Sequence, residues 1–295
     1  MAPYSLTDIS FHEDRDLFRE AVLYTAGKTG LNASLVEKDY YCSVVLAHLY
    51  GKDKEPPVFR GGTSLSKIHA DFYRLSEDLD FTLSISPVAS RSERSRMISP
   101  VKEWVSSLGK ELSVFRIEQK LIGYNNSRQY VAQIAYPSVV GNGSGRIKIE
   151  VGLREEILIL PIRKNVRTLL ENPFAKKQAI QEFEVLTLTR EETYAEKIRA
   201  ALTRREPAIR DFYDVDYAVT NLGLDLGNPQ LMNLVNQKLQ VPDNAEIDIS
   251  VGRKKELLSQ LETQLKPVLR STDYESFDFE RAFKMISDLA HRITR

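Results

Sequence analysis

The sequence predicts an α+β fold: a small mixed β-sheet with flanking helices, followed by a mostly helical C-terminal part. Three observations predict it. Strand-like runs lie between Val58 and Leu188. From Thr189 onward, apolar residues recur at helical spacing. The chain has 295 residues, 42% of them hydrophobic, enough for one large domain or two modest ones. The expected boundary divides 1–185 from 186–295.

The elements follow in order. Glu13 to Lys28 is helical in pattern, with Leu17, Ala21 and Tyr24 on one stripe. A second amphipathic helix runs from Ala33 to Tyr50. Asp53 to Pro57 reads as a charged linker. Val58-Phe59 is a short strand running into Gly61-Gly62, and Thr63 to Asp71 a short helix. Asp78 to Ser84 alternates strictly and predicts a strand. Ser90 to Arg96 reads as a serine- and arginine-rich loop, and Val101 to Lys110 as a helix. Further strands are expected at Ser113–Lys120, Gln129–Tyr136, Arg146–Leu153 and Glu182–Leu188. The rest predicts helices at 190–204, 207–220, 229–239, 252–266 and 276–293.

Composition excludes several classes. There are 41 basic and 41 acidic residues, so net charge does not suggest an indiscriminate polyanion binder, although a local basic groove stays open. A single cysteine, Cys42, leaves no disulfide scaffold and no cysteine zinc site; a buried thiol in a reducing compartment is expected. His12, His48, His69 and His291 have no metal-ligand spacing. No apolar run approaches the roughly 20 residues that span a bilayer. Met1 to His12 lacks a signal pattern, which predicts a cytoplasmic protein.

The chemistry concentrates in two stretches. In Phe59-Arg60-Gly61-Gly62-Thr63-Ser64-Leu65-Ser66-Lys67, two glycines between strand and helix allow a tight turn and close approach of a ligand. The N–H groups that open the helix suit an anion. A 3.6-residue period puts Leu65, Ile68 and Phe72 toward the core, and Thr63, Ser64 and Lys67 on the other side. Hydroxyls and an ammonium beside a glycine turn suit a phosphate chain.

In Arg74-Leu75-Ser76-Glu77-Asp78-Leu79-Asp80-Phe81-Thr82, alternation places Asp78, Asp80 and Thr82 on one strand face. Paired carboxylates repel unless a cation joins them; Mg²⁺ or Mn²⁺, together with substrate phosphates, resolves this. In Arg146-Ile147-Lys148-Ile149-Glu150-Val151, Glu150 points away from the core and could be a third metal ligand if this strand neighbours that of Asp78.

Gly61-Gly62-Thr63-Ser64 with Asp78-Leu79-Asp80 resembles the signature of DNA polymerase β-type nucleotidyltransferases. The fuller strings, with Glu192-Thr193-Tyr194-Ala195-Glu196-Lys197-Ile198-Arg199 and Arg210-Asp211-Phe212-Tyr213-Asp214, resemble the AbiEii nucleotidyltransferase toxin family, including its MenT-like members. The resemblance covers roughly residues 33 to 220, Val36-Glu37-Lys38-Asp39-Tyr40 included. It implies a nucleotidyltransferase-type sheet over 1–185 and a helical domain over 186–295 that completes the active cleft. Asp78, Asp80, Lys197 and Asp211 would be catalytic. Gly61, Gly62, Thr63, Ser64, Lys67 and Lys197 would bind a nucleoside triphosphate. Asp78, Asp80 and Glu150 would hold metal.

The implied function is a toxin of a toxin–antitoxin or phage-defence system that adds nucleotides to the 3′ end of tRNA, with a cognate antitoxin encoded nearby. Candidate RNA contacts are Arg91, Arg94 and Arg96; Arg163, Lys164 and Arg167; Lys176-Lys177; Arg204-Arg205; and Arg253-Lys254-Lys255. Transfer to a protein or small molecule, and nucleotide binding without catalysis, stay open as alternatives.

Overall fold

The computed structural model describes residues 8–52 and 55–293. Parts of the expected linker (Asp53, Lys54) and of the stretch from Met1 to His12 (residues 1–7) lie outside the described residues. The chain divides into two compact units, one running to Leu188 and one starting at Thr189.

The first unit opens with α1 (Arg15–Thr29) and α2 (Ala33–Lys52). Asp14 caps α1 by accepting the Leu17 N–H at 3.0 Å, and Gly30 ends it at φ 71°. β1 (Val58–Arg60) runs into α3 (Gly61–Ser64), which continues as a π-helical turn over Leu65–His69. Next come β2 (Leu79–Thr82), α4 (Arg91–Met97) and α5 (Ser99–Glu111). The strands β3 (Arg116–Tyr124), β4 (Gln129–Pro137) and β5 (Ser144–Gly152) form an antiparallel meander. β6 (Ile162–Val166), β7 (Glu171–Asn172), β8 (Lys177–Gln178) and β9 (Phe183–Thr187) complete the unit.

Seven strands form one mixed sheet in the order β3-β4-β5-β2-β1-β9-β6, while β7 and β8 pair separately. The pairs β2–β5 and β1–β9 are parallel. Alternation gives the sheet two unlike faces. Phe59, Leu79, Phe81, Ile134, Ile147, Ile149 and Val151 are buried on one. Helices cover it: Tyr41 of α2 stacks on Tyr136 of β4 at 4.1 Å, and Trp104 of α5 meets Phe81 at 6.5 Å. Cys42 lies in this core, where burial pushes its thiol up to about 12. The other face carries Arg60, Asp80, Lys148 and Glu150.

Two expectations change here. The stretch 90–96 is not a loop but the N-cap and most of α4: Ser90 and Glu93 form a reciprocal capping box. Arg94 accordingly turns inward, donating to the carbonyls of Leu153 at 3.1 Å and Pro87 at 3.0 Å, instead of facing solvent. The strands β6, β7 and β8 were not expected, because their polar residues hide the period. β6 is a sheet edge, and exposed Arg163 and Lys164 guard it against pairing with another chain.

The second unit consists of α6 (Arg190–Thr203), α7 (Ile209–Asn221), α8 (Pro229–Leu239), α9 (Val251–Ser259), α10 (Ser271–Ser276) and α11 (Phe279–Ile293). Buried Lys238 of α8 pairs with Glu192 at 2.7 Å and Glu196 at 3.2 Å on α6. Arg281 of α11 grips Asp216 of α7 with two hydrogen bonds, at 2.9 and 2.7 Å. The helix expected over 252–266 breaks at Gln260. This buried amide donates to the Pro207 carbonyl and accepts the Ile209 N–H, both at 2.9 Å. A π-helical turn, Leu261–Leu265, follows. The helix expected over 276–293 starts instead at Phe279, where Asp278 accepts the Arg281 N–H at 2.9 Å. No helix of the described residues is long and apolar enough to cross a membrane.

Candidate active site

The polar sheet face gathers the acidic residues. Asp80 lies opposite Glu150 in the parallel β2–β5 pair and opposite Arg60 in the antiparallel β1–β2 pair. Opposed residues share a face, so Arg60, Asp80 and Glu150 stand in one row. Asp78 precedes β2, and Lys148 precedes Glu150 on the same face of β5. The Lys148 ammonium lies 3.3 Å from both Asp78 Oδ2 and Glu150 Oε2.

Electrostatics follow from the crowding. Burial is the largest influence on Asp80, with Glu150 and Asp78 adding repulsion; Arg60 and Lys148 only partly offset them. Its carboxyl is pushed up to about 6. Burial alone would lower the Lys148 ammonium, but Asp78, Glu150 and Asp80 outweigh it and raise it. Three carboxylates against two cations leave an excess of negative charge. Among the described residues, no group of three His, Cys, Asp or Glu side chains is gathered as a ready metal site. The donor set nonetheless fits a hard divalent cation: all oxygen, excess negative charge, and a raised carboxyl.

The glycine turn closes on these acids. Gly61 has φ +77°, and a Cβ there would stand 2.9 Å from that of Asp80. Only glycine combines that backbone with that approach. Gly61→Ala is expected to lose about 1–2 kcal/mol from the left-handed backbone alone. Displacing Asp80, catalytic in the reading that the sequence resemblance implies, should also slow the implied transfer by roughly a hundredfold. Thermal melts and single-turnover rates check both, and a wild-type rate would refute the packing argument.

The placement of Thr63, Ser64 and Lys67 is corrected. All three are buried, not on an open helix side. Thr63 Oγ1 donates to the Asp78 carbonyl, tying the turn to β2. Ser64 Oγ and Thr187 Oγ1 are 2.9 Å apart. Lys67 Nζ lies 2.6 Å from Asp39 Oδ1 and donates to Ser43 Oγ at 2.8 Å. Lys67 lies in the π-helical turn, whose winding departs from the 3.6-residue period used to place it, and its ammonium meets the buried Asp39 carboxylate of α2. The turn therefore presents backbone rather than these side chains.

In the second unit, Lys197 Nζ lies 2.9 Å from Asp211 Oδ1 and 2.8 Å from Asp214 Oδ2, while Arg204 Nη1 lies 2.9 Å from Asp211 Oδ2. Asp211 and Asp214 are both buried. Burial would raise Asp211, but Lys197 and Arg204 more than offset it, holding it below the usual carboxylate range.

Several candidate RNA cations have partners within the chain. Arg253 is buried and donates to the Arg205 carbonyl at 3.4 Å; Lys254 pairs with Glu280, Arg167 with Asp71, and Lys176 donates to the Tyr24 hydroxyl. Arg91, Arg96, Arg163, Lys164, Lys177, Arg205 and Lys255 are exposed. Sequence reasoning missed Arg60 and Lys148 as partners of the acids, and buried Arg74, whose guanidinium a Cβ at Gly62 would meet at 2.8 Å. The alternation that selected Glu150 already put Lys148 beside it.

A glycine turn closed over carboxylates on a mixed sheet is the frame of a nucleotidyltransferase, and this chain is one. It belongs to the AbiEii nucleotidyltransferase toxin family of type IV toxin–antitoxin systems, whose model, described as nucleotidyl transferase AbiEii toxin, matches residues 45–285. The chain is also similar to two solved structures from Helicobacter pylori. One is described as a candidate nucleotidyltransferase; 14% of residues are identical, 89% of this chain and 96% of that chain are covered, and the TM-score is 0.49. The other, JHP933, shows 14% identity over 89% of this chain and 93% of its own, again with a TM-score of 0.49. No curated protein matches.

Proposed function

We propose that the chain is a metal-dependent toxin that transfers nucleotides from a nucleoside triphosphate to the 3′ end of tRNA, blocking translation until a cognate antitoxin intervenes. The observation that carries the metal-dependent chemistry is the row of Asp80 and Glu150, with Asp78 beside it, against the glycine turn. Mg²⁺ or Mn²⁺ held by these three carboxylates would supply charge neutralisation at the transferring phosphate.

The chain's own residues position the reactants. Backbone N–H groups of the Gly61–Ser64 turn receive the phosphates. Arg60 and Lys148 limit repulsion between the acids and an incoming anion. Lys197 and Asp211 belong to the proposal through the family motifs, Lys197 serving the triphosphate and Asp211 supporting the catalytic centre. The tRNA acceptor likewise rests on the family and on the exposed cations.

Purified protein incubated with total tRNA, Mg²⁺ and each α-labelled nucleoside triphosphate is expected to label tRNA, and an Asp78→Ala/Asp80→Ala control to leave it unlabelled. Label on protein or small molecules alone would replace the acceptor. Nucleotide binding without turnover in Mg²⁺ or Mn²⁺ would replace catalysis by regulation.

A further inference from the structure

Beyond the carboxylates, the same sheet face holds a cavity of about 390 Å³. Pro56, Val58, Thr82, Leu83, Leu160 and Pro161 are among the residues that line it. Thr82 is two residues beyond Asp80 on β2, about 6–7 Å along the strand and on the same face. Val58 lies opposite Thr82, so the cavity floor continues the row of acids.

Its wall has a local cause. Pairing persists past β2 and β5: Leu83 N–H donates to Gly152 at 3.0 Å, Ile85 N–H to Glu155 at 3.3 Å, and Ile157 N–H to Ser84 Oγ at 3.0 Å. These bonds hold the chain from Ile157 to Pro161 beside the floor. Leu160 is 86% exposed, an uncovered apolar side chain at the cavity rim.

A cation stands on the same face. Leu186 of β9 is opposite Arg163 of β6, and both point away from the core side of Thr187 and Phe59. Arg163 therefore shares the face of Val58, two strands away, about 10 Å across the sheet. It is exposed. Along one face the order is glycine turn, carboxylates, apolar cavity, with the cation flanking the cavity.

That order gives the cavity a substrate. In an in-line displacement the attacking and leaving oxygens lie on opposite sides of the phosphorus. The glycine turn is at the end of β1 where Asp78 lies, so a pyrophosphate leaves at that end. The attacking hydroxyl must then approach from the cavity end. The geometry points to the cavity as the subsite for the terminal nucleobase of an RNA acceptor, with Arg163 holding the phosphate on its 5′ side. A mostly aliphatic slot buries the faces of a base, and the guanidinium takes the phosphate. This inference rests on the nucleotidyl-transfer reading above.

The test compares two 5′-labelled RNA oligonucleotides, identical except that one ends in an abasic nucleotide. Without nucleoside triphosphate, the wild type is expected to bind the complete RNA about tenfold more tightly, from apolar burial of the base. Leu160→Asp, at an exposed position, should erase that difference. Arg163→Glu should weaken both RNAs and reduce the slope of log affinity against log salt by about one. Neither variant should change KM for the triphosphate. Equal wild-type binding of the two RNAs overturns the subsite. So does a raised triphosphate KM with unchanged RNA binding, which would give the cavity to the incoming nucleotide. Transfer to RNA without base discrimination defeats only this inference. Transfer confined to protein or small molecules defeats the tRNA reading and this inference together.

Discussion

Replacing Asp80 with asparagine is expected to abolish nucleotide transfer while making the protein harder to unfold. Asp80 shares its row with Glu150 and has Asp78 beside it, and its carboxyl is pushed up to about 6 by burial and by those two neighbours. As a proposed metal ligand facing the transferring phosphate, its loss should slow transfer by about a thousandfold or more, ~4 kcal/mol of transition-state stabilisation. Stability moves the other way. An acid whose folded pKa is raised binds its proton more tightly in the folded state. Wild-type stability therefore falls as pH rises from about 4 to about 6, and the full cost persists above that window. The substituted amide carries no charge and escapes it, a gain of roughly 1–3 kcal/mol at neutral pH after allowance for screening. Melting in EDTA at pH 4.5 and pH 7.5 measures this: the variant's advantage should be present at pH 7.5 and shrink at pH 4.5. A less stable variant at pH 7.5, or one that retains transfer, would remove Asp80 from the role assigned here.

Lys67→Met is expected to cost stability and leave nucleotide affinity in the folded fraction unchanged. The Lys67 ammonium is buried with Asp39 Oδ1 at 2.6 Å, Ser43 Oγ at 2.8 Å and the Asp39 carbonyl at 3.3 Å. Asp39 Oδ2 also accepts the Leu169 N–H at 3.0 Å, so the pair fastens α2 to both the glycine turn and the segment before β7. Removing one partner strands the other charge in the core, at about 3–5 kcal/mol. Against a typical total of about 5–15 kcal/mol, that is a large share. Asp39→Ala should lose a similar amount. The double variant Asp39→Leu/Lys67→Met should recover part of it, since an apolar pair leaves no buried charge. Urea denaturation checks the ordering. A Lys67→Met protein with a wild-type midpoint and a raised triphosphate KM would return Lys67 to the nucleotide.

What the sequence determined is local. The alternation from Asp78 to Thr82 put both aspartates on one strand face, and the same rule set Lys148 and Glu150 apart from Ile147, Ile149 and Val151. The α+β class followed from where the period changes, and the ordered motifs carried the family. Each of these signals is written in neighbouring residues, because side-chain direction in a regular strand or helix depends on position alone. Only the tertiary structure decided which strands meet. That β5 lies beside β2, with Glu150 opposite Asp80, joins residues 70 positions apart in the chain. Local winding also yielded to packing. The helix after Gly61 becomes a π-turn at Leu65, where the buried carboxylate of Asp39 draws Lys67 inward, and α7 buries Asp211 and Asp214 because Lys197 and Arg204 compensate their charge. A helical wheel assumes a fixed period and an apolar interior. Charges that find partners across the fold break the second assumption, and a π-turn breaks the first.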